Sequence, residues 1–110
     1  SHPVLAERYD WLSPAVLRFL KRIVDQADDA GKPVTVCGEM GGRPIAAMAL
    51  VALGYRRLSI TPAGIGPVKA MLRSLELKPL AADMRRWLKE GRDIRAELIR
   101  WADRYSVKLG

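Results

Sequence analysis

Apolar side chains recur every three or four residues between positions 14 and 30, which predicts an amphipathic helix. These apolar residues are Val16, Leu17, Leu20, Ile23, Val24 and Ala27. Ser13 and Pro14 suit an N-cap and a first helical position, and Gly31 suits the position just past the helix end. The pattern therefore predicts a helix that begins at Pro14 and ends before Gly31.

Two short β-type runs follow, and a proline-initiated apolar stretch comes after each of them. The first run, 34–37, leads through a glycine-rich loop to an apolar segment that opens with Pro44 and ends at Gly54. The second run, 57–60, precedes a helix that we expect to start at Gly66-Pro67. Consecutive strand–helix units are the repeat of a parallel sheet, so the pattern predicts an α/β fold.

The segment 45–53 has no polar side, and a helix that is apolar all round must be covered all round. Parallel strands are normally buried on both faces, which two strands alone cannot achieve. We therefore expect this chain to supply two strands and their helices to a larger α/β body. Alone, it must self-associate or repack to hide the 45–53 helix.

From Pro79 onward the pattern changes to two amphipathic helices, at about 79–89 and 93–105. Seven cations on these helices raise the hypothesis of nucleic-acid binding: Arg85, Arg86, Lys89, Arg92, Arg95, Arg100 and Arg104. Acidic residues are interleaved with them: Asp83, Glu90, Asp93, Glu97 and Asp103. Because many of these spacings suit pairing along a helix, the pattern favours a solvated helical face over a nucleic-acid surface.

Composition narrows the classes of protein to consider. With 110 residues, 49% hydrophobic and 28% charged, the chain is suited to one ordinary folded domain, and its net charge of +7 arises after residue 40. One cysteine excludes an internal disulfide, and one histidine with one cysteine cannot form a zinc site, so no metal site is predicted.

The 45–53 run is too short to cross a bilayer and no segment resembles a signal peptide, so we expect a cytoplasmic protein. A start at Ser1-His2-Pro3 without methionine suggests a piece of a longer protein.

The candidate chemistry is centred on Cys37, which ends the first predicted strand. Reactive groups collect at the carboxyl ends of parallel strands, where loops can vary without disturbing the core. A thiol with a reference pKa of about 8.5 is mostly protonated at neutral pH and can act as an acid. A following helix amino terminus would stabilise the thiolate, whereas a bound anion would favour the thiol. On residue type alone, a buried structural cysteine is the alternative.

The loop after Cys37 contains further candidates. Glu39 could orient the loop or hold a cation, and a solvent-exposed loop glutamate is an equal alternative. Gly38 and the other loop glycines permit close approach of a ligand or a positive φ, which a plain tight turn explains equally well.

Three segments in order resemble the carboxyl-terminal end of the phosphoenolpyruvate-utilising enzymes. They read Cys-Gly-Glu-Met-Gly-Gly-Arg-Pro over 37–44, Leu-Gly-Tyr-Arg-Arg-Leu-Ser over 53–59 and Pro-Val-Lys over 67–69. Within that family the chain is most similar to the Enzyme I group of the bacterial phosphotransferase system, in its nitrogen-related form. The resemblance makes 1–76 the carboxyl-terminal segment of the barrel domain and 77–110 a helical tail.

This resemblance implies the last quarter of a (β/α)8 barrel that binds phosphoenolpyruvate and Mg²⁺. It implies that Cys37 donates a proton to the enolate carbon to give pyruvate, with Gly38 and Glu39 in the substrate-binding loop. The phosphoryl group passes to an enzyme histidine and then to a phosphocarrier protein. The metal-binding carboxylates, phosphate-binding arginines and phosphorylated histidine of the family lie upstream of residue 1, so the fragment should be inactive. Arg43 stands where many members have Asp.

A second hypothesis is an interaction role. Barrel domains of this family dimerise, so the resemblance implies a homodimer. The isolated piece would then be a dimerisation or regulatory module.

Overall fold

In a computed structural model, residues 12–37 and 43–109 are described, and strands and helices alternate until two final helices. In chain order the elements are α1 (Pro14–Asp29), β1 (Thr35–Cys37), α2 (Pro44–Leu53), β2 (Arg57–Ser59), α3 (Pro62–Arg73), α4 (Leu77–Glu90) and α5 (Ile94–Arg104). This order confirms the α/β pattern of two strand–helix units and the helical character of the tail.

The ends of α1 follow from its sequence. The Oγ of Ser13 accepts a hydrogen bond from the backbone N–H of Val16 at 3.3 Å, and Pro14 occupies the first turn. Gly31 has a φ of 67°, the left-handed conformation that glycine adopts without a steric penalty. Both predicted ends are confirmed.

β1 and β2 form a parallel two-stranded sheet with Thr35 opposite Arg57, Val36 opposite Leu58 and Cys37 opposite Ser59. Val36 and Leu58 pack against the hydrophobic core, whereas Thr35, Arg57 and Ser59 are exposed. Helices therefore cover one face of the sheet, and the other face is open.

Helix α2 is the centre of the core. Its residues from Ala46 to Leu53 are all buried, and α1, α3, α4 and α5 all pack against it. Leu80 and Met84 of α4 and Leu98 of α5 belong to the same buried cluster. Of the two ways to hide this helix, the structure shows packing within the chain, so α2 supplies no apolar face for assembly.

The predicted start of α3 is wrong by four residues. The helix begins at Pro62 after the extended Thr61, and Pro67 lies inside it. Proline suits a first helical position, and Pro62 and Pro67 both carry that signal. A proline further inside a helix cannot donate the usual hydrogen bond, and its ring clashes with a carbonyl in the preceding turn. The residues that the longer helix adds are mostly exposed, so its start is set by the extended Thr61 and by Pro62 rather than by burial.

Helix α4 extends slightly beyond its predicted bounds, whereas α5 lies just within the bounds predicted for it. Asp93 is the N-cap of α5, since its Oδ1 accepts from the N–H of Ala96 at 3.1 Å. Gly91 ends α4 with a φ of 68°. Within the described parts of the chain, no helix has the length and apolar character needed to span a bilayer.

Candidate functional site

Cys37 is the last residue of β1 and is paired in register with Ser59, the last residue of β2. The sequence prediction that places Cys37 at the carboxyl end of a parallel strand is confirmed. Gly38 and Glu39 lie outside the described residues, so their predicted place beside the substrate is neither supported nor opposed. The side-chain role of Cys37 also stays a prediction.

The local sequence explains how the carboxyl ends of the two strands are positioned. Val36 and Leu58 pack against the core and lie opposite each other in the sheet. The carboxyl ends of the two strands, at Cys37 and Ser59, are therefore side by side. Helix α3 begins at Pro62, shortly after the end of β2, and α2 begins at Pro44, after residues 38–42 that follow β1. Helix amino termini carry partial positive charge and unpaired N–H groups, so the start of α3 just after β2 favours an anionic ligand.

Arg43 occupies the N-cap position of α2, with an extended backbone and no side-chain cap hydrogen bond. It is exposed, and its charge lies where the loop from Cys37 enters the helix. Its position adds a cation at the amino terminus of α2.

The described residues do not offer a ligand set for Mg²⁺. Between 12 and 37 and between 43 and 109, no three side chains of His, Cys, Asp or Glu lie together. No chemical step at this edge is therefore assigned to a metal held by these residues.

An apolar groove of about 550 Å³ lies beside β2 and α3. It is lined by Val51, Arg56, Leu58, Ile60, Ile65, Val68, Lys69, Leu72, Leu75 and Leu77. Ile65 and Leu72 remain 40% and 39% exposed, so this groove leaves apolar surface uncovered. Sequence reasoning missed the contribution of Ile65 because it placed the start of α3 after this residue.

Several tail cations are paired with acidic residues that are close to them in the sequence. Asp83 accepts from Arg86 at 2.9 Å, and Glu97 accepts from Arg100. Arg92 bonds Glu90 at 2.6 Å across the turn between α4 and α5. These pairs confirm the predicted interleaving of charges and account for three of the seven tail cations.

Comparison with known proteins gives independent evidence about the family of this chain. The family described as PEP-utilising enzyme, PEP-binding domain, matches residues 1–77. A phosphoenolpyruvate-protein phosphotransferase of Borreliella burgdorferi is 39% identical over 70% of this chain and 14% of its own length. A protein of Salmonella typhimurium named for the phosphoenolpyruvate-dependent phosphotransferase system is 38% identical over 76% of this chain and 11% of its own.

A multiphosphoryl transfer protein of Xanthomonas campestris is 43% identical over 72% of this chain and 9% of its own length. The chain thus spans only 9–14% of these three curated relatives. No solved structure gives a significant match.

Proposed function

The chain belongs to the PEP-utilising enzymes, and we propose that it is the carboxyl-terminal part of a phosphoenolpyruvate–protein phosphotransferase of the bacterial phosphotransferase system. The match over 1–77 and the names of the relatives carry this proposal. The activity is that of a whole protein several times longer than this chain, which by itself we expect to be inactive.

In the proposed reaction the phosphoryl group leaves phosphoenolpyruvate for a histidine outside this chain, and the enolate of pyruvate remains. Cys37 donates the proton from its Sγ to the C3 carbon of that enolate, which gives pyruvate and a thiolate that water reprotonates. A positioned proton donor contributes about 10²–10⁴-fold to such a step. The position of Cys37 at the carboxyl end of β1, ahead of the amino terminus of α2, supports the assignment.

In the described part of the chain, the two-stranded sheet has an unpaired edge and an exposed face, which support the proposed (β/α)8 barrel. Within the described residues, β2 pairs only with β1, and the face that carries Thr35, Arg57 and Ser59 is exposed. The apolar groove lies on the other face, where Leu58 of β2 and Ile65 and Leu72 of α3 line it. Further strand–helix units from the rest of the protein would pair with β2 and fill this groove, because parallel strands require cover on both faces.

The remaining partners come from the same proposal. They are phosphoenolpyruvate and pyruvate as substrate and product, and a phosphocarrier protein that receives the phosphoryl group from the histidine. The family resemblance implies that Mg²⁺ is held by residues outside this chain, and the described residues provide no cluster of ligands.

The test is Cys37→Ala in the full-length protein, with pyruvate followed by a coupled assay and enzyme phosphorylation followed separately. We expect pyruvate formation to fall by about 10²-fold or more. Binding of phosphoenolpyruvate should be retained. Ser59→Ala, on the neighbouring strand at the same register, is the matched control and should keep most of the activity. Unchanged pyruvate formation by Cys37→Ala would remove Cys37 from the mechanism without affecting the family assignment.

A further inference from the structure

A groove of about 400 Å³ lies between α1 and α4, and five of its six lining residues are cations. The lining residues are Arg18, Lys21, Arg22, Arg85, Leu88 and Lys89, and we call this surface the basic groove. The two groups of cations are far apart in sequence and are brought together only by the packing of α1 against α4. The surface is distinct from the sheet edge at which Cys37 lies.

Three of the five cations also have structural contacts. The Nη2 of Arg18 donates to the backbone oxygen of Leu88 at 2.8 Å, near the carboxyl end of α4. Lys21 bonds the carboxylate of Asp25 at 2.8 Å and the carbonyl of Leu53 at 3.3 Å. The guanidinium of Arg22 lies 6.0 Å from the centre of the Phe19 ring. Asp25 therefore partly neutralises the positive charge that Arg18, Lys21 and Arg22 bring to the groove.

Arg85 and Lys89 form the other wall of the basic groove. Both are exposed and one helical turn apart on α4, and neither has an ion pair or a side-chain hydrogen bond within the described residues. Their neighbour Arg86, by contrast, is paired with Asp83. Both α4 cations that face α1 are therefore left without a carboxylate partner in the described part of the structure.

The stability of α1 does not explain where its charges are placed. Arg18, Lys21 and Arg22 lie in its first ten residues, whereas Asp28 and Asp29 occupy its last turn. The helix dipole acts within the first and last turns, so it disfavours Asp28 and Asp29 at the carboxyl end and does not account for the three cations, which lie beyond the first turn. This order instead concentrates positive charge beside Arg85 and Lys89.

We propose that the basic groove binds an acidic segment of a partner protein. Carboxylates on one side of that segment would pair with the cations of α1, and those on the other side would pair with the cations of α4. An apolar side chain between them would contact Leu88 and the aliphatic stems of the cations. The walls are each about one helical turn long, which suits a short peptide segment. A nucleic-acid duplex suits the groove less well, because it carries a negative charge about every 1.7 Å along its whole length. Its phosphates would be repelled by Asp25, Asp28 and Asp29, which lie further along α1.

The probe is a fluorescein-labelled acidic peptide with glutamates on both sides of a leucine at helical spacing, titrated against the 110-residue chain by fluorescence anisotropy. The double variant Arg85→Glu with Lys89→Glu should weaken binding by about tenfold or more, because two attractive charge pairs become repulsive. Lys32→Glu with Lys78→Glu changes the net charge equally at exposed positions outside the groove and should have a much smaller effect. A peptide with glutamine in place of glutamate should not bind.

Circular dichroism and thermal unfolding check that both double variants fold, which we expect since none of the four side chains has an ion pair or a side-chain hydrogen bond in the described structure. Absence of peptide binding at low salt, or equal weakening by the two double variants, would overturn the proposal. So would a duplex DNA that binds more tightly than the peptide and is released by the same Arg85 and Lys89 changes.

Discussion

The indole Nε1 of Trp101 donates a hydrogen bond to the Oδ2 of Asp83 at 2.9 Å. The other oxygen of Asp83 accepts from Arg86 at the same distance, so one carboxylate joins α5 to α4 and to its own helix. Trp87, on α4, is as deeply buried as Trp101, but its Nε1 has no hydrogen-bond partner within the described residues. The two indoles are buried to a similar depth, and Trp101 has in addition this hydrogen bond and a ring contact with Tyr105, with centroids 4.2 Å apart.

The pair predicts unequal effects of the same substitution. Trp101→Phe removes ring atoms and a hydrogen bond to a charged acceptor, which is worth about 1.5–3 kcal/mol. Trp87→Phe removes similar ring atoms and no such bond. We expect Trp101→Phe to lower the free energy of unfolding by at least about 1 kcal/mol more than Trp87→Phe. Urea unfolding followed by circular dichroism measures the difference, and equal losses would show that the bond to Asp83 contributes nothing.

Helix α5 offers a second matched pair, which tests whether the tail belongs to the core. Leu98 is fully buried and its neighbour Ile99 is 51% exposed. Leu98→Ala should lower the free energy of unfolding by about 2–5 kcal/mol through lost burial and a residual cavity. Ile99→Ala should change it by less than about 0.5 kcal/mol.

Both changes can be measured in one series of urea unfolding curves. If Leu98→Ala were as mild as Ile99→Ala, α5 would not be packed on the rest of the chain as the structure shows.

The sequence predicted those features that depend on neighbouring residues. Ser13, Pro14 and Gly31 mark the ends of α1 because capping is decided within one turn. The two strand–helix units, and with them Cys37 at a strand end, follow from short apolar runs bounded by glycine and proline. The register that sets Cys37 beside Ser59 could not be read from either strand alone.

Other features depend on contacts between distant parts of the chain. The apolar character of α2 requires cover, but it does not reveal that α4 and α5 provide it, because any apolar surface would do. The basic groove was missed for the same reason, since Arg18 and Arg85 meet only after folding. The role of Cys37 rests on family resemblance, because the residues with which it would act lie outside this chain.

The turn after α2 depends on one glycine. Gly54 has a φ of 120°, and a Cβ placed there would meet Val24 Cγ1 at 3.6 Å, an ordinary van der Waals distance. The cost of Gly54→Ala should therefore come from backbone strain rather than crowding, at about 1–3 kcal/mol. Gly91→Asn is the control, because Gly91 has a φ of 68° in a region that asparagine tolerates. Thermal unfolding should show a clear loss for the first variant and little for the second.

Tyr55, just after Gly54, gives the protein a predictable response to alkaline pH. Its side chain is buried, and its phenol donates a hydrogen bond of 2.7 Å to the carbonyl of Leu20. Burial, and secondarily the negative charge of Asp25, raise the pKa of Tyr55 above its ordinary value. In the folded protein the neutral phenol is thus favoured more strongly than in the unfolded chain.

The sign of the pH effect follows from this shift. Below the ordinary tyrosine pKa of about 10, both states hold the proton and the stabilisation is fully present. As the pH rises from there through the raised pKa, the unfolded chain releases its proton first, so the free energy of unfolding falls. Tyr55→Phe should cost about 1 kcal/mol at neutral pH through the lost hydrogen bond. Above the ordinary pKa, the variant should lose stability less steeply than the wild type.

Urea unfolding at a series of pH values from neutral to alkaline checks this, and the difference between wild type and variant removes the contribution of the lysines. Asp25→Asn should lower the raised pKa of Tyr55 part of the way and give an intermediate slope, because burial is the larger cause and Asp25 the smaller. Parallel curves for wild type and Tyr55→Phe would mean that the phenol titrates alike in the folded and unfolded states. The hydrogen bond to Leu20 would then not hold the neutral form.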